Sequence, residues 1–467
     1  MNIAILYGGK TGEHEVSMVS ASSVARNIDA TKHNINLISI TKEGLWFLQP
    51  VSELEKVQND SKAILSDKPT ENQIVVIPGA GVKSGLCKIS KGKTEALPTD
   101  VVFPVLHGTY GEDGLVQGLL EMAELPYCGC DVMSSALSMD KEKTKQIWEN
   151  AGLPVVPYIT IRKTDRENQA TFEAIIKKSE RDFEWPVFIK PCKAGSSVGA
   201  NKASNKEEFV KAVDDALLWD DKILVEAFIN AREIECSVTG FREIAAYTPG
   251  EIVPNHEFYD YEAKYLDPEG AALKIPADLD EEKIREVRDI AIKAFKALDG
   301  CGCSRIDFFL DKDKGNFYLN EINTMPGFTP ISMFPKMCDA AGLDFENLIE
   351  KLATEDDKAS KQLRNKLNNI YVIWSAYERI LNESYTSDEA DEGASVKRLN
   401  DPLDDAMHLY NTLKGLRLNG KSFFKGKNVY IDSFYSFTKS QLNIIEEIVL
   451  GADNVTISFD CPINTPQ

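Results

Sequence analysis

The chain has 467 residues, enough for about three domains of ordinary size, and its hydrophobic content of 43% is that of a globular protein. Its formal net charge of −20 argues against a general nucleic-acid-binding or anionic-membrane surface. The apolar run at residues 3–7 is too short for a signal peptide, and no segment reaches the roughly 18 apolar residues of a membrane span. We therefore expect a cytoplasmic protein that does not enter a membrane.

The first predicted element is a strand that runs into the sequence ILYGGKTGEHEVS, residues 5–17. The Gly9-Lys10-Thr11 triplet is similar to the end of a Walker A loop, but that motif needs a glycine where this chain has Ala4. The two glycines instead predict a sharp turn at the end of the strand. A helix with apolar periodicity follows.

Strands and helices then alternate along most of the chain, which predicts an α/β protein. We divide it into α/β domains over residues 1–125, 126–225 and 226–352. A charged linker follows at 353–366. The last segment, 367–467, contains a helical stretch, an acidic loop and a strand–helix–strand pattern, and we interpret it as a partial α/β extension.

Nine cysteines are scattered along the chain without a Cys-x-x-Cys pair. Cys128 and Cys130 are separated by one residue, and so are Cys301 and Cys303, which is shorter than the spacing of ordinary zinc-binding pairs. We expect reduced thiols, as is usual in the cytosol.

The most informative stretch is SRIDFFLDKDKGNFYLNEINTMPG, residues 304–327, which predicts a β-hairpin. Side chains alternate between the faces of a strand, so Arg305 shares a face with Asp307, and Glu321 shares one with Asn323. Folding the hairpin sets Asp307 opposite, or nearly opposite, Glu321. Facing carboxylates repel each other unless a cation lies between them, and two carboxylates with an amide suit Mg²⁺. The alternative, an exposed polar face with salt bridges, has about equal weight on the pattern alone.

Two further segments have the composition of a nucleotide site. In FIKPCKAGSSVG, Lys190 ends an apolar strand, and the glycine and serine loop after it offers backbone N–H groups to an anion. In ILVEAFINAREIE, the carboxylates of Glu226, Glu233 and Glu235 can accept hydrogen bonds from adenine or ribose. A flexible loop and a solvated acidic face are the ordinary interpretations of these two segments.

Two polar loops give weaker signals. In LHGTYGEDG, His107 follows a buried strand, where an isolated histidine is more often structural. In HEFYDYEAKYLDPEG, Lys264 and Tyr265 lie in a polar and aromatic stretch that would by itself be a surface loop.

In combination these segments resemble the D-alanine–D-alanine ligase family of the ATP-grasp fold, over about residues 1–352. The matching segments occur in the family's order: GGKTGEHEVS, LHGTYGEDG, ALSMDKEKTK, IKPCKAGSSVG, EAKY, RIDFFLD and NEINTMPGFT. The resemblance implies a three-domain ATP-grasp ligase that joins two D-alanine molecules through a D-alanyl phosphate and supplies the dipeptide for peptidoglycan. It also implies ATP, two Mg²⁺ ions (with Mn²⁺ as a substitute) and a homodimer.

The resemblance assigns five residues to the amino-acid substrates and the reacting atoms. Glu13 would orient the first D-alanine through its ammonium group, with His107 near the same substrate. Arg305 and the backbone N–H of Gly327 would stabilise the tetrahedral intermediate. Ser332 would bind the carboxylate of the second substrate.

The resemblance assigns a second group to ATP, the metal ions and two closing loops. Lys141 and Lys190 would contact the ATP phosphates, and Lys264 would contact the phosphate that is transferred. Glu226 and Glu233 would lie near the adenine and ribose, and the Mg²⁺ ions would be bound by Asp307, Glu321 and Asn323. Ser196 and Tyr265 would close over the site and help to hold Glu13.

The second substrate is less narrowly defined by the sequence. Tyr265 favours D-alanine over D-lactate, because depsipeptide-forming relatives usually depart from tyrosine at this position. Ala194 replaces a glutamate of some relatives, and Met333 replaces a common leucine near the second-substrate pocket, so D-serine stays open. The alternative enzyme is therefore a D-Ala-D-Ser or D-Ala-D-Lac ligase.

Members of the family end shortly after a segment like DFENLIEKL, whereas this chain continues for about 115 residues. Residues 365–460 resemble part of the B subunit of ATP-dependent helicase–deoxyribonucleases. Asp432 follows a strand as a Walker B acid does, but a Walker A partner and a nuclease motif are missing, so we infer no activity. The extension is then an inactive fragment or a partner-binding module. The alternative of a different class is a DNA-repair-associated binding protein with an inert ligase part.

Overall fold

The computed structural model describes residues 1–195, 198–241, 243–254, 271–354, 428–434 and 454–459. It divides into two compact units, Met1–Lys361 and Gln362–Gln467. Three sheets with their helices form the first unit, and two paired strands are described in the second, which confirms the α/β class with a partial α/β extension. Among the described residues, no helix is both long enough and apolar enough to cross a bilayer.

The first sheet has seven strands: β1 (Asn2–Gly8), β2 (Asn34–Ile40), β3 (Trp46–Leu48), β4 (Gln73–Val76), β5 (Leu86–Ser90), β6 (Lys93–Ala96) and β7 (Val101–Val105). Their order is β6-β5-β4-β3-β2-β1-β7, and β1 is parallel to both of its neighbours. The accompanying helices are α1 (His14–Asn27), α2 (Val51–Asn59), α3 (Gly81–Ser84) and α4 (Leu115–Met122).

Strand β1 is buried on both faces, as expected for a central parallel strand. Ile3 packs in the cluster that includes α1, and Leu6 packs on the other face with α4. The strand ends at Gly8, where φ is +87° and an added Cβ would lie 2.3 Å from the carbonyl oxygen of Ile40. The predicted turn therefore needs glycine, because β2 approaches the backbone closely.

The second sheet has four antiparallel strands: β8 (Tyr158–Arg162), β9 (Val187–Pro191), β10 (Asn201–Ala203) and β11 (Lys222–Ala227). Their order is β10-β9-β11-β8, and β11 runs to two residues beyond the predicted boundary at 225. The helices before and around this sheet are α5 (Val132–Met139), α6 (Lys141–Asn150), α7 (Lys163–Glu167), α8 (Gln169–Asp182) and α9 (Lys206–Ala216).

A buried ion triad attaches the start of α6 to the second sheet. The Lys222 Nζ lies 2.7 and 2.6 Å from the two carboxylate oxygens of Asp140 and 2.6 Å from Glu142. Asp140 also caps α6, because its side chain accepts the N–H of Lys143. The first turn of α6 is thus fixed on β11.

The third sheet consists of β12 (Ala231–Thr239), β13 (Ala245–Ala246), β14 (Gly250–Pro254), β15 (Ala271–Lys274), β16 (Cys303–Asp311) and β17 (Phe317–Asn323). The order is β15-β14-β12-β16-β17, with β13 also paired to β12. Further helices are α10 (Glu281–Ala297), α11 (Met333–Asp339) and α12, which includes residues 345–354.

The alternation of side chains divides the third sheet into an apolar and a polar face. Ile234 and Phe308 pack in one buried cluster with Phe295 of α10. Their chain neighbours Glu235 and Asp307 therefore point to the opposite face. This polar face carries the candidate site.

Helix α12 packs against the first sheet. Leu348, Ile349 and Leu352 are nearly fully buried in the cluster that contains Ile3 and Ile5 of β1. The segment after the third sheet therefore completes the core of the first.

In the second unit, β18 (Asn428–Phe434) and β19 (Asn454–Phe459) pair in parallel. Both were predicted as strands from the sequence. The helix predicted between them lies outside the described residues.

Candidate active site

Three carboxylates lie side by side across three strands of the third sheet. Glu235 on β12 is the direct partner of Asp307 on β16, and Asp307 is the direct partner of Glu321 on β17. The hairpin register predicted from the sequence is therefore confirmed. The sequence singled out Glu235 as an acceptor for adenine or ribose, but it did not place this residue beside Asp307. Its position in this row follows from the pairing of β12 with β16, which the sequence does not show.

Arg305 neutralises part of this row. Its guanidinium donates to both carboxylate oxygens of Asp307, at 2.7 and 2.6 Å, and its Nε lies 3.1 Å from Glu235. Burial disfavours the charged form of Arg305 and so lowers its pKa, but the charges of Asp307 and Glu235 outweigh this effect and raise the pKa well above the ordinary value. Asn323 donates from its amide to Asp307 at 3.0 Å, so Asp307 contacts both Arg305 and Asn323.

Two lysines approach this polar face from other elements. Lys141, the first residue of α6, places its Nζ 3.5 Å from Glu321 and donates to the carbonyl of Ala194 at 2.9 Å. Lys190 on β9 donates to the side-chain oxygen of Asn320 at 3.0 Å. The lysine on the second sheet and the lysine on α6 thus both contact side chains of β17 in the third sheet. The candidate site therefore lies between these two sheets.

Glu226 lies at the end of β11, under this cleft, between two lysines. Its carboxylate is 2.8 Å from the Nζ of Lys190 and 2.9 Å from that of Lys145. Burial raises the pKa of Glu226, but the two lysines lower it by a larger amount. The net pKa therefore lies below its ordinary value. We had not predicted Lys145, whose side chain is completely buried. It follows Lys141 by one helical turn, and this spacing was the available signal.

Glu233 is on β12, two residues before Glu235, and its side chain is half-buried. The same side of the strand therefore carries both acids. This puts Glu233 next to the carboxylate row, farther along β12.

Glu13 lies where three loops converge. It immediately precedes α1, and an added Cβ at Gly108 would come within 2.8 Å of its carboxylate. An added Cβ at Gly195 would lie 3.8 Å from the same carboxylate. The glycine and serine loop therefore approaches Glu13 at Gly195. Ser196 itself lies outside the described residues, as do Lys264 and Tyr265.

His107 is buried beside Glu13. Its Nδ1 lies 3.2 Å from the carbonyl oxygen of Met325 and 3.8 Å from Glu112, and its Nε2 lies 3.0 Å from the hydroxyl of Ser20. Burial lowers the pKa of His107, but Glu112 and Glu13 raise it, and the net pKa lies above the ordinary 6.5.

Gly327 and Ser332 are in close contact in the segment after β17. An added Cβ at Gly327 would lie 2.7 Å from the hydroxyl oxygen of Ser332. That hydroxyl accepts the backbone N–H of Thr329 at 2.9 Å. The neighbouring Met333 is buried in an apolar cluster with Ile252.

The donor set on the polar face fits a divalent cation. Asp307 and Glu321 supply hard oxygen ligands from adjacent strands, and Asn323 adds an amide oxygen. Within the described ranges, no three His, Cys, Asp or Glu side chains converge tightly enough to enclose a metal ion by themselves. Such a site would take its remaining ligands from phosphate or water, as Mg²⁺ commonly does.

Family models match both the ligase part and the extension of the chain. Residues 2–130 match the model described as D-ala D-ala ligase N-terminus, and residues 147–354 match D-ala D-ala ligase C-terminus. Residues 331–467 match the model described as ADDB, N-terminal. This match confirms the second resemblance seen in the sequence.

Two curated relatives are similar over nearly their whole length. The D-alanine--D-alanine ligase of Treponema denticola is 56% identical over 368 residues, which cover 78% of this chain and 99% of that protein. The D-alanine--D-alanine ligase of Ruminiclostridium cellulolyticum is 47% identical over 359 residues, which cover 75% of this chain and 93% of that protein.

Solved structures agree with these relatives. The D-alanine-D-alanine ligase from Coxiella burnetii aligns with a TM-score of 0.67 at 33% identity, covering 80% of this chain and 99% of that one. The VanG D-Ala:D-Ser ligase from Enterococcus faecalis aligns with a TM-score of 0.65 at 36% identity, covering 76% and 99%. The ATP-grasp architecture is thereby confirmed for the ligase part, and the chain belongs to the D-alanine–D-alanine ligase family.

Proposed function

We propose that this chain is an ATP-dependent D-alanine–D-alanine ligase that supplies the D-Ala-D-Ala dipeptide for peptidoglycan synthesis. The observation that carries this function is the 56% identity to such a ligase over 99% of its length. The site chemistry agrees, because cations from one sheet oppose a row of carboxylates on another. Membership of the family implies the use of ATP with a divalent metal ion, and we propose the cytoplasm, where ATP is available, as the location.

In the first step a carboxylate oxygen of D-alanine attacks the γ-phosphorus of ATP, and ADP leaves. We propose that Glu13 holds the ammonium group of this substrate, with His107 nearby. Lys141 and Lys190 would hold the phosphates, because their Nζ atoms lie at the cleft between the sheets. Such fixed cations compensate the charge that develops on the phosphoryl oxygens.

In the second step the neutral amine of the other D-alanine attacks the carbonyl carbon of the acyl phosphate, and phosphate leaves. Arg305 and the backbone N–H of Gly327 would stabilise the oxyanion of the tetrahedral intermediate. Ser332 would bind the carboxylate of the attacking amino acid. Ser332 lies close to Gly327, and this proximity supports the proposal because the second substrate's carboxylate and the oxyanion would then be bound side by side.

The remaining roles concern the nucleotide, the metal and the loops. A divalent ion on the polar face, when bound, would neutralise phosphate oxygens. We propose Asp307, Glu321 and Asn323 as its ligands, with two Mg²⁺ ions and Mn²⁺ as a possible substitute. The other proposed roles are those of the resemblance: Glu226 and Glu233 at the adenine and ribose, Lys264 at the transferred phosphate, and Ser196 and Tyr265 in loops that exclude water.

The decisive experiment measures ADP and phosphate release with D-alanine, D-serine and D-lactate, offered singly and in pairs, with mass analysis of the products. We expect turnover with D-alanine as the sole amino acid and the dipeptide as product. The similarity to a D-Ala:D-Ser ligase makes D-serine the second candidate. Preferred formation of D-Ala-D-Ser would select that alternative, and absence of turnover with every combination would indicate an inert ligase part.

We further propose that the chain forms a homodimer. Helix α4 exposes an apolar stripe at one-turn spacing, formed by Leu115, Leu119 and Met122 with exposures of 55%, 37% and 65%. Exposed apolar side chains that are contiguous commonly mark an interface. Sedimentation should give a dimer that Leu119→Lys with Met122→Lys converts to a monomer, and a monomeric parent chain would refute this proposal.

We propose that the extension after residue 361 is not required for ligation and that residues 1–361 comprise the predicted domains 1–125, 126–225 and 226–352. The compact first unit, which ends at Lys361, supports this view. A chain that stops after Lys361 should keep the ligase activity of the full chain. An insoluble or inactive product would show instead that the extension supports the ligase part.

A further inference from the structure

Two Cys-Gly-Cys segments meet at a point that the proposed reaction does not use. One, residues 128–130, lies between β7 and α5, and the other, residues 301–303, leads into β16. An added Cβ on Gly302 would lie 2.6 Å from the Cα of Gly129. The two backbones can therefore approach this closely because both central residues are glycine.

This backbone contact brings one cysteine of each segment together. Cys130 donates from its thiol to the carbonyl oxygen of Cys301 at 3.1 Å. In the reverse direction, Cys301 lies with its Sγ 3.5 Å from the carbonyl oxygen of Gly129. Each side chain thus lies against the other segment's backbone.

The surroundings give the two thiols different properties. Cys130 is 1% exposed, whereas Cys301 is only partly buried. Hydrogen bonding with Cys301 and Ser304 lowers the pKa of the Cys130 thiol despite its burial. Interaction with Cys130 and burial raise the pKa of Cys301. Cys301 is therefore the thiol that an oxidant in solvent reaches first, and Cys130 is the thiol suited to attack the oxidised sulphur in a second step.

We propose that Cys130 and Cys301 are a thiol pair that hydrogen peroxide converts, reversibly, to an intramolecular disulfide. The accessible Cys301 sulphur attacks one peroxide oxygen, the O–O bond breaks, and water leaves as the sulfenic acid forms. The Cys130 sulphur then attacks that sulphur. The S–O bond breaks, the hydroxyl leaves with the Cys130 proton as water, and the S–S bond forms.

Electrons and atoms balance in this sequence. Two thiols lose two electrons and two protons, and one peroxide molecule is reduced to two water molecules. A dithiol reductant reverses the reaction by thiol–disulfide exchange. Because the thiolate fraction of Cys301 is small near neutral pH, the first step should be slow and should accelerate as the pH rises.

The disulfide would enclose a large and functionally central part of the chain. The ring from residue 130 to residue 301 contains the whole second sheet, including Lys190 and Glu226. A cross-link over a long loop reduces the conformational freedom of the unfolded chain, and the segments already touch in the folded one. We therefore expect the oxidised protein to be more resistant to unfolding, with its site in the same arrangement.

The test uses the full chain, reduced first and then treated with excess hydrogen peroxide over a pH series. Remaining thiols are blocked by alkylation before digestion, and peptides are mapped by mass. We expect a Cys130–Cys301 cross-linked peptide, absent after dithiothreitol treatment, and an upward shift of the urea midpoint in the oxidised protein. Formation should be faster at higher pH.

Cys301→Ser is the matched variant, and it lies outside the proposed catalytic groups. It should keep ligase activity but lose both the cross-link and the midpoint shift. Over-oxidation of Cys301 without a cross-link, or a cross-link that involves Cys128 or Cys303 instead, would overturn the proposal. The peptide map of the unaltered chain gives the answer even if the variant does not fold.

Discussion

Lys145 and Glu226 form an ion pair that is closed off from solvent, with the lysine Nζ 2.9 Å from the carboxylate and side-chain exposures of 0% and 4%. Burial lowers the pKa of Lys145, while the charge of Glu226 acts against that effect. The same carboxylate contacts Lys190, a proposed phosphate ligand. Lys145 therefore acts through Glu226 and Lys190, and we regard it as a positioning residue.

Replacing Lys145 by methionine should lower the free energy of unfolding by about 3–5 kcal/mol, because the substitution leaves a buried carboxylate with one cation less. It should also raise the KM for ATP more than it lowers kcat, since it displaces groups proposed to bind the nucleotide. Urea unfolding and initial rates measure the two effects. Lys143→Met, on the same helix but with a side chain that is 44% exposed, is the control. Equal stability of the two variants would contradict the role of Lys145.

Replacing Asp307 by asparagine should impair metal-dependent turnover severely. Mutation of a residue that only orients a metal ligand typically lowers metal affinity or activity by about 10–100-fold. Loss of a ligand itself should lower them at least as much. The Mg²⁺ concentration for half-maximal ADP release should rise together with the fall in kcat. Asp313→Asn, in the exposed turn of the same hairpin, should leave both unchanged. A near-normal Mg²⁺ titration of the Asp307 variant would remove this residue from the metal site.

Gly327→Ala should destabilise the protein and slow the second step. The new methyl group would lie 2.7 Å from the Ser332 hydroxyl, and overpacking of this kind costs about 1–3 kcal/mol. Ser332→Ala removes that oxygen. The double variant should therefore be more stable than the sum of the two single effects predicts. Urea unfolding of all four proteins completes the cycle, and strict additivity would show that the two residues do not touch.

Stability should depend on pH through His107. Its pKa in the folded protein is raised above the ordinary 6.5, so protonation favours the folded state. The stabilisation is complete below pH 6.5 and is lost as the pH rises through the raised value. The difference in unfolding free energy between the parent protein and His107→Asn should then fall as the pH rises above 6.5. Glu112→Gln should reduce this slope, whereas a difference that grows with pH would reverse the assignment.

The hairpin with Asp307 and Glu321 was predictable because its information is local. A period of two and one turn fix which side chains share a face. Its partner Glu235 could not be placed, since the pairing of β12 with β16 joins segments far apart in the chain. Strands β3 to β6 were also missed. They are short, and β6 is exposed at all positions, so it lacks the hydrophobic pattern on which such predictions depend.

The burial of Lys145 and the contact between Cys130 and Cys301 also depend on segments that are far apart in the chain, and the sequence does not show how these segments pack. A lysine in a charged helical segment is normally solvated, and the burial of this one follows from the packing of α6 against other elements. The two Cys-Gly-Cys segments were visible in the sequence as unusual spacings. Their contact depends on the approach of two loops that lie far apart in the chain.

The ion triad at the start of α6 has a consequence for motion. Asp140 and Glu142 flank Lys141 in the chain, so their bonds to Lys222 couple Lys141 to β11. Strand β11 in turn pairs with β9, which carries Lys190. A hinge rotation of the second sheet against the third would therefore carry both lysines as one rigid body. Opening and closing of the cleft would leave the distance between Lys141 and Lys190 constant and would change only the distance from these lysines to the row of carboxylates.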